Sequence, residues 1–255
     1  MCRRRPGCRM DGKGVVVALT VPDVLPEDLA ALDDLGRQAG LELGVFRARM
    51  AARESFTAAD VDRVKFLVAA RGRIDAARAA EGSRLAQVAH HEAGHAVVAA
   101  LLGGQVAVVE VYPGGQVDGE GRGGFCTQVP ASPMIQQSQH LFMAAGAASE
   151  AMHLYGRRAT AAHADALLTG QDAEFLRGWV LTASVSAARP TGAVMPLLRR
   201  CWPAVEVLAA RLVAGEEVRH KHVLAALGVR YDDAAPFALA NIRAGLRAVP
   251  GGKAA

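Results

Sequence analysis

The sequence is poor in aromatic residues (5%), holds four cysteines in 255 residues, and has no long apolar run. Each scarcity excludes something. With few large rings, the core must be built from aliphatic side chains and the abundant alanine. Alanine is the best helix former, so helices are favoured. Cys2, Cys8, Cys126 and Cys201 are too few and too scattered for a disulfide framework; reduced thiols and a cytoplasmic setting are expected. The longest apolar stretch, 96–109, is broken by Gly103, Gly104 and Gln105. It falls short of the ~20 residues of a membrane span, so none is expected. No Walker-type G-x-x-x-x-G-K-[ST] occurs, which argues against a phosphate-binding loop.

Net charge is also scarce over most of the chain. The 29 Lys+Arg exceed the 25 Asp+Glu by four. Residues 1–13 hold Arg3, Arg4, Arg5, Arg9 and Lys13 against Asp11, so the whole surplus lies there and the remainder is balanced. A nucleic-acid partner needs a basic face on the folded body, and none is expected. An apolar content of 51% excludes a disordered chain. The length suffices for one large domain or two small ones.

Turn and capping signals divide the chain. Residues 1–13 read as a flexible basic tail. Residues 14–21 read as a strand. Their arginine-led start imitates a secretory signal, but the apolar stretch is short, Pro22-Asp23 follows, and no small-x-small cleavage site appears. The segment 26–40 reads as a helix stopped by Gly40, and 41–47 alternates like a second strand. A helix over 58–80, capped by Thr57, completes a short α/β module at 14–80. A separate helix is expected from Ser83 to Leu102, closed by Gly103-Gly104. Strands at 106–112 and 125–129 flank a loop with six glycines between Pro113 and Gly124. Helices are expected at 135–155, 172–187, 196–214 and 218–227, and 229–255 reads as an extension. The fold class is mostly α (α+β): a helical domain at 81–228 with a small β element, preceded by the short α/β module.

The chemistry concentrates at His91-Glu92-Ala93-Gly94-His95, an H-E-x-x-H pattern inside a predicted helix. Residues i and i+4 share a helix face, so both imidazoles can reach one zinc ion. Glu92 projects beside the metal, where it can accept a proton from water that the metal acidifies. Arg84, Gln87, His91 and His95 form a polar stripe that turns apolar beyond His95. Gly94 is costly in a helix interior, about 1 kcal/mol against alanine, so something must approach the backbone there. A third protein ligand is required. A metzincin-type extension would place Gly and His at 98 and 101, where Val98 and Leu101 stand. Glu150, His153, His163, Asp165, Asp172 and Glu174 remain as candidates. His90 points away from His91 and is expected to stay out of the metal shell. Cys126 reads as an ordinary strand thiol. His220 and His222 lie in a helical segment, where alternation does not align them on one ion.

Residues 88–98 resemble the zinc-site helix of the FtsH family of ATP-dependent zinc peptidases. Gly124 to Pro130 resembles that family's short strand beside the active site. Ala145-Gly146-Ala147-Ala148-Ser149-Glu150 is similar to its A-G-R-A-A-E helix, and Thr169-Gly170-Gln171-Asp172 to its T-G-A-S-N-D segment. The order is kept across about 81–228. The resemblance implies a zincin-like peptidase with Zn²⁺ held by His91, His95 and Asp172, Glu92 as catalytic base, and protein or peptide substrates. Two departures stand out. The Asp172 segment is two residues shorter than the family's, and Thr169-x-x-Asp172 also reads as a capping box; Glu150 is the substitute ligand. Residues 1–80 are too short for the family's ATPase, so a separate ATPase or adaptor is the implied partner. A narrow regulatory protease and a catalytically silent zinc-binding module are the alternative readings.

Overall fold

The computed structural model describes residues 19–22, 25, 29–52, 54–112, 123–129, 133–182 and 189–251. The expected basic tail and most of the expected first strand lie outside them. The fold is mostly helical with one two-stranded antiparallel sheet. The chain divides into two compact units, Met1–Gly82 and Ser83–Ala255.

The first unit holds α1 (Leu29–Ala51) and the start of α2 (Ala58–Leu101). The strand expected at 41–47 is helix instead. Its apparent alternation is part of a longer stripe: Leu32, Leu35, Ala39, Leu43 and Phe46 recur at steps of three and four, the period of a helix face. Leu32 and Ala39 are fully buried, and Ala39 clusters with Leu19 and Leu67. Gly40 does not stop the helix. Arg71, which lies close to Gly40, donates to the carbonyl of Gly36 at 2.6 Å. Residues 19–22 form no strand; Leu19 is held by side chains, its N–H donating to Glu42 Oε2 at 2.9 Å. The expected α/β module is thus helical in its described residues.

The two helices expected on either side of Ser83 are one helix, α2. Gly82 sits at the join, and a single interior glycine costs a helix only about 1 kcal/mol. In the second unit α2 ends as expected. Gly103 takes a left-handed φ of 81°, and the N–H groups of Gly103 and Gly104 return to the carbonyls of Ala100 and Ala99. All residues from Ala96 to Leu102 are buried.

Strands β1 (Gln105–Val111) and β2 (Gly124–Val129) pair with Val109 opposite Cys126 and Val111 opposite Gly124. On its other side Val109 exchanges both backbone hydrogen bonds with Val218. β1 is therefore flanked on both edges, and β2 has one edge unpaired among the described residues.

The helix expected over 135–155 is two, α3 (Pro133–Gln137) and α4 (Gln139–Tyr155). After them come α5 (Ala161–Leu167), α6 (Gly170–Thr182), α7 (Pro190–Arg200), α8 (Trp202–Val213), α9 (His220–Ala226) and α10 (Ala235–Arg243). The helix expected over 196–214 is α7 and α8, broken at Cys201; Pro203 opens α8, where its missing N–H is harmless. The expected extension beyond 228 belongs to the body: Leu239, Ile242 and Val249 sit in the main core.

Candidate metal centre

The second half of α2 carries His91, Glu92 and His95 on its buried side. The face turned to α4 is cut away by small residues. A Cβ on Gly94 would lie 2.5 Å from Ser149 Cβ and 2.7 Å from the carbonyl oxygen of Ala145. What approaches the Gly94 backbone is therefore α4. Ser149 Oγ ties the contact by donating to the carbonyl of His90 at 2.6 Å. This close passage brings Gly146 under both ring ends: a Cβ there would overlap Nε2 of His91 and of His95.

The two imidazoles are oriented from behind. His91 Nδ1 lies 3.0 Å from Glu150 Oε2, and His95 Nδ1 lies 2.8 Å from the carbonyl oxygen of Phe142. Ionised carboxylates and carbonyls only accept, so each Nδ1 carries the proton and each ring presents its second nitrogen, Nε2, forward. Glu150 also accepts from Gln87 Nε2.

The forward nitrogens meet Asp172. His95 Nε2 is 3.2 Å from His91 Nε2, and Asp172 Oδ2 is 3.0 Å from His95 Nε2 and 3.3 Å from His91 Nε2. Zinc bonds of ~2.0–2.1 Å in a tetrahedron place ligand atoms roughly 3.3 Å apart. The triangle is one face of such a tetrahedron. Two imidazoles and a carboxylate also form a donor set that zinc accepts with a fourth position left for water. The residues therefore fit the ion.

Charge tells the same story. Burial works against a cation on His91, but the hydrogen bonds it donates to Asp172 and Glu150 outweigh it and raise its pKa to about 10. Burial also opposes charge on Asp172, and the charge of His95 with hydrogen bonds from both histidines holds its carboxyl well below the usual carboxylate range.

The cleft around these atoms has a volume of about 490 Å³, ordinary for a ligand site. Glu92 lines it and is 7% exposed. Gly124 of β2 packs against the Glu92 side chain; a Cβ there would lie 3.0 Å from Glu92 Cγ. Cys126 also lines the cleft. Burial pushes its thiol well above the ordinary value, and the charges of Glu92 and Asp172 add to this, so it is no thiolate.

His91, His95 and Asp172 are thus brought together, with Glu92 in the same cleft. The Asp172 carboxylate turns Oδ2 to both histidines. Glu150, the substitute candidate, stands outside this cluster and meets Nδ1 of His91, on the far side of the ring. The remaining candidates go elsewhere. His153 stacks on His90, His163 stacks on Tyr155, Asp165 pairs with Arg189, and Glu174 is exposed. His90 turns back to the carbonyl of Ala86. His222 caps α9 through Arg219 N–H, while His220 lies against Val106 N–H, so they serve separate ends. Gly146, Gln87 and the Phe142 carbonyl are parts of the site that residue chemistry alone did not single out as site residues. The advance signals for Gly146 are its cost inside a helix and its place in the stretch similar to the A-G-R-A-A-E helix.

Comparison with protein-family models, curated proteins and solved structures finds no match to this chain.

Proposed function

We propose that this protein is a zinc metalloendopeptidase acting on unfolded or partner-delivered polypeptides. One observation carries the reading: two imidazole nitrogens and a carboxylate oxygen converge at tetrahedral edge lengths, with Glu92 in the same cleft. His91, His95 and Asp172 hold the ion. Bound zinc supplies Lewis acidity, which polarises a carbonyl and lowers the pKa of water to about 7. Glu92 accepts the proton as the water oxygen attacks the carbonyl carbon, and delivers it to the nitrogen as the C–N bond breaks. Glu150 and the Phe142 carbonyl keep both Nε2 atoms facing the reaction. The edge of β2 that is unpaired among the described residues suits an extended backbone, which would add as a strand beside the cleft. The resemblance of residues 81–228 to the FtsH peptidases supports the same chemistry, and a separate ATPase or adaptor as the supplier of unfolded chain belongs to this proposal. No helix among the described residues is long and apolar enough to cross a membrane.

Zinc content and hydrolysis of an unfolded protein, measured for wild type, Glu92→Gln and Asp172→Asn, test it. Glu92→Gln is expected to keep zinc and lose turnover by about 10²–10⁴-fold, the usual share of a general base. Asp172→Asn is expected to weaken both. Full turnover in Glu92→Gln sinks the mechanism. Zinc without turnover on any unfolded chain leaves a silent zinc-binding module.

A further inference from the structure

A second cavity, of about 920 Å³, opens between α5, α6 and α7. It shares Thr169 and Gly170 with the cleft around His91, His95 and Asp172, so the two cavities adjoin at these residues. Leu168, Ala173, Leu176 and Pro190 give it apolar walls. Arg177 and Arg189 stand among its lining residues. Asp165 takes up one of these charges: it accepts from Arg189 and from Thr191 Oγ1, each at 2.6 Å, and so ties α5 to the start of α7. Arg177 Nε donates to the carbonyl of Ala173 in its own helix at 3.2 Å, which leaves its charge at the rim. The rim is net positive.

Gly170 stands where the two cavities adjoin. It is exposed, has a left-handed φ of 56°, and carries no side chain. Asp172 and Leu176 lie one turn apart on α6, about 5.4–6 Å. An extended peptide advances about 3.3 Å per residue. A chain leaving the metal therefore reaches the apolar walls after about two residues.

We infer that this cavity is a specificity subsite of the peptide cleft, taking an apolar side chain about two residues from the scissile bond and an adjacent acidic group at Arg177. The inference rests on the peptidase reading. It names the substrate class that the site prefers: unfolded segments in which an apolar residue precedes an acid.

The test reads binding rather than turnover. Fluorescein-labelled peptides containing Leu-Leu-Glu, Ser-Ser-Glu or Leu-Leu-Lys in one frame are titrated into the full chain carrying Glu92→Gln, with zinc and after chelation. Leu-Leu-Glu is expected to bind roughly tenfold more tightly than Ser-Ser-Glu, a usual yield for filling an apolar pocket. Ala173→Phe, which fills the cavity, is expected to erase that difference. Arg177→Glu is expected to reverse the preference for Glu over Lys. Equal binding of the three peptides overturns the subsite, as does a ranking that neither substitution changes. Should Ala173→Phe fail to fold, Arg177→Glu at its exposed position still decides. A ranking that survives chelation in a protein with no zinc-dependent turnover keeps the subsite and overturns the peptidase reading alone. Turnover with a flat ranking overturns the subsite alone.

Discussion

At the scale of single residues, the site depends on groups behind the ligands as much as on the ligands. Glu150 meets Nδ1 of His91, so it fixes the ring and raises its basicity from the side away from Nε2. Glu150→Ala is expected to weaken zinc binding by about 10–100-fold, measured by competition with a chelator, and Glu150→Gln by less, since an acceptor oxygen remains. Gly146→Ala puts a methyl group where Nε2 of both histidines stand. Overpacking of this kind costs about 1–3 kcal/mol. The expected outcome is loss of stoichiometric zinc with the far-ultraviolet circular dichroism of a helical protein retained; full zinc content would show that the rings can move aside. The sequence makes part of this legible. His91, Glu92 and His95 are local, and their spacing alone states their geometry. Asp172 lies 77 positions from His95, and only the family resemblance singles it out. Glu150 is a candidate on composition, but which ring nitrogen a carboxylate meets is set by how α4 crosses α2, and no spacing within either helix encodes that.

At the scale of elements, the helices were legible and several of their limits were not. Apolar residues at 41, 43 and 45 fit a strand over seven positions, yet the stripe from Leu32 to Phe46 fits a helix over fifteen, and the longer pattern wins because it buries Leu32 and Ala39 against other side chains. The same helix places Glu42 where both of its oxygens meet Arg63, at 2.6 and 2.8 Å, while Arg63 also donates to the Leu19 carbonyl. The Arg63 hydrogen bonds hold the Glu42 carboxyl below its ordinary value of 4.5, against the opposing effect of burial. A carboxyl depressed in the folded state contributes stability that is fully present above its unfolded pKa and is lost as pH falls through the depressed value. Thermal stability of the helical pair is therefore expected to be flat above about pH 5 and to fall below it. Glu42→Gln is expected to flatten that acid limb; an unchanged limb would assign it to other carboxylates.

At the scale of the whole chain, the two ends differ in kind. The four surplus positive charges all lie in residues 1–13. Deleting them leaves a chain with no formal net charge, so retention on a cation exchanger at neutral pH is expected to disappear while zinc binding stays unchanged. Retained affinity would point to a basic face formed by folding. The other end reads in the sequence as an extension, because Gly228 stops a helix and the family resemblance ends at 228; in the structure Gly228 has a left-handed φ of 68°. The fold draws it back. Leu239, Ile242 and Val249 enter the same core as Leu101 and Leu224, and Arg243 donates to the Leu101 carbonyl at 3.0 Å, at the end of the helix that carries His91 and His95. Each buried aliphatic contributes about 1.5–3 kcal/mol, and the three together approach the ~5–15 kcal/mol of a whole domain. Truncation after Gly228 keeps every site residue and is still expected to abolish cooperative thermal unfolding and, with it, stoichiometric zinc. A truncated chain that melts cooperatively and binds zinc normally would show that the core closes without α10.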